Sequence, residues 1–258
     1  MDLWDREAER MSIESESDLQ GLKESGRIVA LALQEMARHL KPGITTLELD
    51  LIGEAFLTKH GARSAPRMAY NFPGGTCISI NDEAAHGIPG DRVVQAGDLV
   101  NLDVSADLNG YVADTGATIG VPPVSPTKDK LLKCTKAALN KAIAAAQAGR
   151  PMNVIGQAVE IEAKRCKFSI IANLAGHGVG RSIHEDPREV LNYYDPRDRR
   201  KLIEGMVITI EPFLSTGATY VLEDRDGWTL KTPDGSLSCQ YEHTIVITKG
   251  KPVIITAA

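Results

Sequence analysis

Two aspartates within a short apolar stretch are the first residues that could carry out chemistry. Asp103 lies in the run NLDV, which is typical of a β-strand, and aspartate is disfavoured in the middle of a strand. Asp114 follows 11 residues later, and Asn109-Gly110 between them predicts a type I′ turn, because both residues tolerate positive φ. The resulting hairpin would bring two carboxylates together in an apolar sheet, where one would keep its proton unless a cation is bound.

The second half of the sequence repeats this arrangement. Residues 206–212 form an apolar run that carries Glu211, and residues 240–246 form another that carries Glu242. A repeat on this scale predicts two similar αβ halves packed about a pseudo-two-fold axis, with four carboxylates at the seam. Two divalent cations would balance the charge of −4 on these carboxylates, so the pattern indicates two metal ions rather than one.

Three of the six histidines lie in loops flanked by glycines or acids, namely His86, His177 and His184. Each one alone is as readily a histidine that is hydrogen-bonded within a turn. Together with the four acids they form an oxygen-rich set, which favours harder ions such as manganese, iron(II) or cobalt. Two such ions lower the pKa of a shared water and polarise a carbonyl, and this is the chemistry of amide or ester hydrolysis. Histidines outside the metal shell could donate to the carbonyl or to the developing charge.

The motifs NLDV, ADT, GHGVGRSIHE, TIEP and QYEHT together resemble those of the methionine aminopeptidases, from about residue 20 onward. The resemblance implies the α+β pita-bread fold of these dinuclear metallopeptidases: two pseudo-symmetric αβ halves, mainly antiparallel sheet, and helices on the outer face. It implies that Asp103 binds one metal through both oxygens and that Asp114 and Glu242 bridge the two metals. His177 and Glu211 would complete the other metal's shell.

The resemblance also implies residues that contact the substrate. His86 matches the family histidine near the substrate amine, His184 matches the one on the carbonyl side, and Glu211 would accept a proton from the attacking water. Phe72, Cys77 and Trp228 stand where the family encloses the methionine side chain. Without the resemblance, Trp228 is typical of a partly buried surface aromatic and Cys77 of a small buried hydrophobe. Ile183 stands where many members have an aromatic, so the shape of the pocket differs here.

The implied activity is hydrolytic removal of N-terminal methionine from nascent proteins and peptides with a small second residue. The cofactors would be two divalent ions, drawn from cobalt, manganese, iron(II), zinc or nickel. Only 26 residues separate His184 from Glu211, and no cysteine-rich zinc module precedes the motifs, so the chain resembles the bacterial type 1 enzymes. One alternative is an Xaa-Pro aminopeptidase or prolidase of the same fold, for which the 85 residues before His86 leave little room. The other is a catalytically inactive binding homologue.

Composition favours a globular metabolic protein over a nucleic-acid or membrane protein. The net charge is −5, and no apolar run approaches the roughly 20 residues that span a bilayer. The acidic N-terminus does not resemble a secretory signal, and four widely spaced cysteines argue against a disulfide scaffold, so we expect a cytoplasmic location. The resemblance implies the N-terminal peptide of nascent proteins as substrate and ribosome association, whereas the negative net charge predicts no binding of nucleic acid, and we expect a monomer.

The elements that must position these residues follow from periodicity and caps. Residues 1–16 are predicted to form an N-terminal extension and residues 17–258 a single catalytic domain. Helical spacing predicts a helix from residue 17 to about residue 40, and Thr45 with Glu48 predicts a capping box for a helix that ends at Lys59. Further helices are predicted to end near Ala148 and to follow a cap at Asn153, and residues 62–76 are predicted to be a loop.

Overall fold

The structure is a computed structural model, and it describes residues 13–257. Most of the predicted N-terminal extension, residues 1–12, lies outside the described residues. The helices in the described part are α1 (Glu16–His39), α2 (Thr46–Lys59), α3 (Ala65–Tyr70), α4 (Pro126–Ala145) and α5 (Asn153–Cys166). No helix within residues 13–257 is both long and apolar enough to cross a membrane.

Fifteen strands accompany these helices in the described residues, and every pairing between them is antiparallel. In chain order they are β1 (Arg63–Ser64), β2 (Cys77–Ile80), β3 (Glu83–Ala85), β4 (Leu99–Leu108), β5 (Tyr111–Gly120), β6 (Ser169–Ile170), β7 (Ala175–Gly178), β8 (Glu185–Leu191), β9 (Val207–Ile210), β10 (Phe213–Ser215), β11 (Leu222–Glu223), β12 (Leu230–Lys231), β13 (Ser238–Gln240), β14 (His243–Val246) and β15 (Val253–Ile254).

The first half consists of α1 and α2 packed on a sheet in which β5 pairs along one edge of β4, and β1 and β2 pair with different parts of its other edge. The predicted capping box is present: the Thr45 side chain accepts from the Glu48 backbone, and the Glu48 carboxylate accepts from the Thr45 backbone at 2.8 Å. Buried residues of α1, such as Val29 and Met36, share one apolar core with Leu102 and Val104 of β4. This core supports the sheet from its outer face.

The hairpin of β4 and β5 turns at Asn109 and Gly110, which have φ of 56° and 82° as a type I′ turn requires. Its register pairs Leu108 with Tyr111 at the turn. Side chains alternate along β4, so that Leu102 and Val104 enter the core while Asp103 points to the opposite face. The predicted hairpin is therefore confirmed, and it fixes which face of the sheet carries the acids.

The second half is built from α4 and α5 and a five-stranded sheet in the order β15-β14-β9-β7-β8. Its apolar core joins both helices to this sheet, for example through Leu139, Ile155, Ile208 and Ile245. The expected architecture of two αβ halves with helices outside is confirmed, because α1 and α2 pack on the first sheet and α4 and α5 pack on the second.

Polar side chains join the halves where β5 lies against β14. The hydroxyl of Thr244 accepts from the backbone N–H of Asp114 at 2.9 Å and donates to the carbonyl of Asp114 at 2.7 Å. In the same way the hydroxyl of Thr115 donates to the carbonyl of Glu242 at 2.8 Å, and the N–H of Glu242 donates to the carbonyl of Gly116. The backbones that carry one acid of each half are thus tied together directly.

Two predicted boundaries differ from the structure. Residues 62–76 are not a simple loop, because β1 and the six-residue α3 lie within them. An element this short offers no full period of apolar residues, so the pattern could not reveal it. Asn153 is the first residue of α5 rather than its cap, since its side-chain N–H donates instead to the carbonyl of Asp195 at 3.0 Å.

The cysteine expectation also needs correction. Cys134 of α4 and Cys166 of α5 are joined by a disulfide, and among the described residues Cys77 and Cys239 are free and buried. The two bonded cysteines are 32 residues apart in sequence. Sequence spacing did not suggest this bond because the packing of α4 against α5, rather than a motif, brings the two side chains together.

Candidate metal centre and its cavity

The hairpin of the first half brings its two acids to one face of the sheet. Asp103 lies opposite Gly116 and Asp114 lies opposite Ser105, so these positions share a face and form diagonal neighbours. The hydroxyl of Ser105 donates to Asp114 Oδ1 at 2.8 Å. Asp103 and Asp114 also share a hydrogen bond between their carboxyl groups, which requires one of them to hold a proton in the absence of a cation.

The second half contributes its acids from the ends of two paired strands. Ile210 of β9 pairs with His243 of β14, so Glu211 directly follows one strand and Glu242 directly precedes the other. Glu211 Oε1 accepts from the hydroxyl of Thr209 at 2.9 Å, and Glu242 Oε2 accepts from the side-chain N–H of Gln240 at 3.0 Å. Each carboxylate is therefore oriented through one oxygen by the side chain two residues before it.

His177 lies between the two pairs of acids. Its Nε2 is 3.5 Å from Glu211 Oε1 and 3.8 Å from Asp114 Oδ2. Its Nδ1 is 3.0 Å from the carbonyl of Gly178, which accepts the ring proton when Nδ1 carries it, so the lone pair is left on Nε2. Burial is the main cause that lowers the pKa of His177 to about 3, with the charge of His184 as a further cause. The ring is consequently neutral, as a metal ligand must be.

The four carboxyl groups are too buried to remain ionised next to one another without a cation. Burial raises the pKa of Asp114 to about 6. It also raises the pKa values of Asp103, Glu211 and Glu242 well above their usual range, and the negative charges of neighbouring acids add to the effect. A buried unpaired carboxylate costs several kcal/mol, so this arrangement needs either protons or cations.

One oxygen in this group has no partner. Glu242 Oε1 is buried and has no hydrogen bond, although nearly all buried polar atoms in proteins have one. Ligand atoms of Asp114, His177 and Glu242 all lie within 4.8 Å of one another. An orphaned carboxylate oxygen beside a neutral imidazole and further carboxylates is the donor set that a divalent cation accepts, so the residues fit metal ions.

A second cluster of metal-ligating side chains does not have this property. Cys134, Glu162 and Cys166 lie close together, but the two cysteines are bonded to each other. Glu162 is ion-paired with Lys141 and Arg165, and these contacts lower its pKa to about 2. Its charge is therefore already balanced, and no metal is needed.

A cavity of about 450 Å³ opens above the candidate metal centre. All ten predicted site residues line it: Phe72, Cys77, His86, Asp103, Asp114, His177, His184, Glu211, Trp228 and Glu242. Phe72 is buried and meets Trp228 edge to face at 5.2 Å between ring centroids, and Cys77 pairs with Asp103 across β2 and β4. The cavity thus has an apolar side next to the carboxylates.

The two remaining histidines lie at the open part of the cavity, where both retain contact with solvent. His86 adopts a positive φ of 55°, and a Cβ on the following Gly87 would be only 2.2 Å from the carbonyl oxygen of Ile78. The corner that presents His86 therefore depends on a glycine. The His184 ring lies 4.1 Å from that of His177, and Ile183 beside it is buried in the core as well as lining the cavity.

Sequence reasoning missed several residues that hold the site together. Ser105, Thr209 and Gln240 each lie two residues from an acid or opposite one, so strand alternation could have revealed them as same-face neighbours. Tyr70, whose hydroxyl is 2.7 Å from His184 Nδ1, lies in the segment that was predicted to be a loop. No sequence signal connects it to a histidine 114 residues away.

Comparison with known proteins gives consistent results. The model of the family described as "Metallopeptidase family M24" matches residues 20–249. The chain is 50% identical over 247 residues to "Methionine aminopeptidase 2" of Bacillus subtilis, with 95% of this chain and 99% of that protein covered. The crystal structure of a methionine aminopeptidase from Rickettsia prowazekii has a TM-score of 0.91 at 36% identity and covers 96% of this chain and 100% of that one.

A prolidase from Pyrococcus furiosus has a TM-score of 0.76 and is 23% identical, with 96% of this chain but only 66% of that chain covered. At this identity the likeness shows a shared fold and no more. Together with the structure from Rickettsia, it confirms the expected pita-bread architecture.

Proposed function

The chain belongs to metallopeptidase family M24, and from this premise we propose that it is a metal-dependent aminopeptidase that removes N-terminal methionine. The observation that carries the proposal is the convergence of His177 and four carboxyl groups below a cavity with an apolar side; three of these groups are buried and that of Asp103 is partly buried. Relatives named as methionine aminopeptidases cover nearly the whole chain, which supports the same activity.

We propose that Asp103, Asp114, His177, Glu211 and Glu242 hold two divalent ions. The unpartnered Oε1 of Glu242 and the raised pKa values of the four acids support this assignment. When bound, the ions would lower the pKa of a water molecule and polarise the scissile carbonyl. Cobalt, manganese, iron(II), zinc and nickel all suit such ligands, and supply in the cell would decide among them.

The protein's own groups would then handle the protons. We assign Glu211 as the acceptor for the proton of the attacking water, because the family resemblance implies this role and its carboxyl group lines the cavity beside His177. His184 is assigned to the substrate carbonyl and His86 to the substrate amine. Both imidazoles line the open part of the cavity, where the peptide must continue away from the metal centre.

Phe72, Cys77 and Trp228 are proposed to enclose the methionine side chain. The edge-to-face contact of Phe72 and Trp228 gives this part of the cavity an apolar wall suited to an unbranched thioether. The preference for a small second residue in the substrate is proposed on the family resemblance.

We further propose that the substrates are the N-termini of nascent proteins in the cytoplasm, and that the protein acts as a monomer that associates with the ribosome. The family resemblance supports this setting. The Cys134–Cys166 disulfide weighs against it, because cytoplasmic thiols are normally kept reduced. A thiol count on protein that is purified without air and alkylated at lysis would decide whether the bond exists in the cell.

The experiment that tests the function measures free methionine released from Met-Ala-Ser by protein loaded with manganese or cobalt, beside an Xaa-Pro peptide. Methionine release that stops on removal of metal supports the proposal. The variant Asp114→Asn, purified identically, controls for aminopeptidases of the expression host. Cleavage of the proline peptide alone would favour the prolidase alternative, and absence of both bound metal and activity would favour an inactive homologue.

A further inference from the structure

The contact between Tyr70 and His184 is not explained by any role assigned so far. The hydroxyl of Tyr70 lies 2.7 Å from His184 Nδ1, and the two rings are tilted by 49° with centroids 5.6 Å apart. This distance is typical of a good hydrogen bond. Tyr70 belongs to the first half of the chain and His184 to the second, so the contact joins the two halves at the wall of the cavity.

The short helix α3 fixes the position of this tyrosine. The hydroxyl of Ser64 caps the helix by accepting from the N–H of Arg67, and Arg67 is ion-paired with Glu54 of α2. Asn71 ends the helix in the left-handed conformation, with φ of 56°. The same corner therefore presents Tyr70 to His184 and Phe72 to Trp228.

The hydrogen bond selects a tautomer of His184. A neutral imidazole carries one proton, so a nitrogen that accepts a hydrogen bond leaves the proton on the other nitrogen. If the Tyr70 hydroxyl donates to Nδ1, then Nε2 carries the proton and can donate to an acceptor in the cavity. Were Nδ1 the donor, Nε2 would be bare and would repel a carbonyl oxygen.

The tyrosine does not have the character of a packing residue. It is 46% exposed, so its hydroxyl could be satisfied by water, and its direction toward His184 is not required to complete a core. Removal of the hydroxyl should therefore leave the fold intact, which makes its effect on the site measurable.

We propose that Tyr70 is a positioning residue: its hydroxyl donates to Nδ1 of His184, keeps the proton on Nε2, and directs that N–H at the substrate carbonyl. The last step rests on the proposed function of the site. The hydrogen bond does not depend on that function, because it is a contact between the two side chains. Its direction, and with it the tautomer of His184, are what the proposal assigns.

The kinetic test compares Tyr70→Phe with the unmodified protein on Met-Ala-Ser, with the metal content of each preparation measured. We expect kcat to fall about 10-fold while KM and metal content stay unchanged, since a contact that strengthens in the transition state acts on kcat. Tyr194→Phe removes the hydroxyl of another exposed tyrosine outside the cavity and should have no effect. In a His184→Ala background, Tyr70→Phe should cause no further loss.

The spectroscopic test does not need activity. ¹⁵N NMR of histidine-labelled, zinc-loaded protein should show Nδ1 of His184 as the unprotonated nitrogen, with the resonance identified by its loss in His184→Ala. Tyr70→Phe should shift this signal toward a mixture of tautomers.

An unchanged tautomer and an unchanged kcat in Tyr70→Phe would overturn the proposal, as would an equal loss of rate in the presence and absence of His184. If no peptide is cleaved by any preparation, the proposed function fails, whereas the NMR result still decides whether Tyr70 sets the tautomer.

Discussion

At the scale of single residues, the unpartnered oxygen of Glu242 is the clearest sign of what this chain binds. Its carboxylate is 2% exposed and has one hydrogen bond, from Gln240, on the other oxygen. A protein that kept such a group without a ligand would lose stability for no return. A cation beside Oε1 would remove this loss of stability. Glu242 therefore lowers the stability of the metal-free protein but supplies an oxygen that can bind metal.

Glu242→Gln should therefore lower activity without lowering the stability of the metal-free protein. Changes in groups that merely orient metal ligands cost about 10–100-fold in affinity or activity, so loss of a ligand should lower kcat/KM by more than about 100-fold. The metal-free variant should melt at or above the temperature of the metal-free parent, because the buried carboxyl group must hold either a proton or an unpaired charge, and the amide needs neither. Metal analysis and thermal melts check both effects. Glu223→Gln, at an exposed position on β11, is the matched control, and a metal-free variant that melts lower would contradict the argument.

His86→Ala should lower the rate and leave the metal content unchanged. The side chain lines the cavity but lies in the corner before Gly87, away from the cluster of ligand atoms around Glu242. We expect a loss of about 100-fold in kcat/KM, the lower end for a group that assists proton transfer. Parallel measurements of metal content and kinetics decide the matter, since a variant that purifies without metal would place His86 among the ligands.

The predicted site residues line one cavity, but the sequence did not indicate every side chain there, for a physical reason. Acids in or directly beside apolar strands are costly and therefore conspicuous, so Asp103, Asp114, Glu211 and Glu242 stand out from pattern alone. Tyr70 was not identifiable, because its role depends on where α3 lies relative to the second half of the chain. A local pattern shows only whether a residue type is energetically unfavourable at its position. Which side chain it contacts across a cavity depends on tertiary packing.

At the scale of elements, the site depends on the close approach of β5 and the segment that leads into β14. A Cβ on Gly116 would lie 2.3 Å from Oε1 of Gln240, the side chain that donates to Glu242 and accepts from Asn101 at 2.7 Å. Gln240 is almost fully buried, so it has little room to move aside. The absence of a side chain at position 116 thus allows the two halves to bring their acids together.

Gly116→Ala should consequently weaken metal binding rather than simply destabilise the fold. Displacement of Gln240 releases Glu242 from its orientation, and we expect metal affinity to fall by about 10–100-fold. Titration with manganese measures this change. The control is Gly110→Ala at the hairpin turn, where φ is 82° and a Cβ would have nothing within 4 Å. That variant should lose about 1 kcal/mol of stability with unchanged metal affinity, and equal affinity losses in both variants would refute the explanation.

The elements themselves were largely predictable where they are long or capped. The capping box at Thr45 and Glu48 and the Asn109-Gly110 turn are local interactions, and both are present as predicted. The short α3 and the disulfide between α4 and α5 were missed. Neither feature produces a periodic pattern in the sequence. The helix α3 is too short to show one, and the disulfide forms only because α4 and α5 pack together.

At the scale of the whole molecule, the two halves meet at a seam where buried acids lie beside apolar side chains from both halves. Asp114 and Glu242 are held there by hydrogen bonds from the backbone or side chains of the opposite half. The apolar cores on either side keep water from these groups, and burial is the largest cause of their raised pKa values. In the metal-free protein these buried carboxyl groups therefore tend to hold protons.

Metal binding should in consequence release protons, and the carboxyl groups rather than His177 should supply them. The pKa of His177 is lowered to about 3, so this ring is already neutral at any pH where the protein would be assayed. The pKa of Asp114 is raised to about 6, so its proton competes with cations increasingly as the pH falls through that value. Affinity for manganese should then rise with pH across this range, because ligands must lose their protons before they bind.

Calorimetric titration of metal-free protein at about pH 6, in two buffers that differ in ionisation enthalpy, measures the protons released. We expect heats that differ between the buffers, and a smaller difference for Asp114→Asn, which cannot hold the proton. A fixed concentration of manganese should also raise the melting temperature less at about pH 5 than at about pH 7.5, because stabilisation by a ligand follows its affinity. Equal heats in both buffers would mean that the four acids are ionised before metal arrives, and the electrostatic account of the seam would then be wrong.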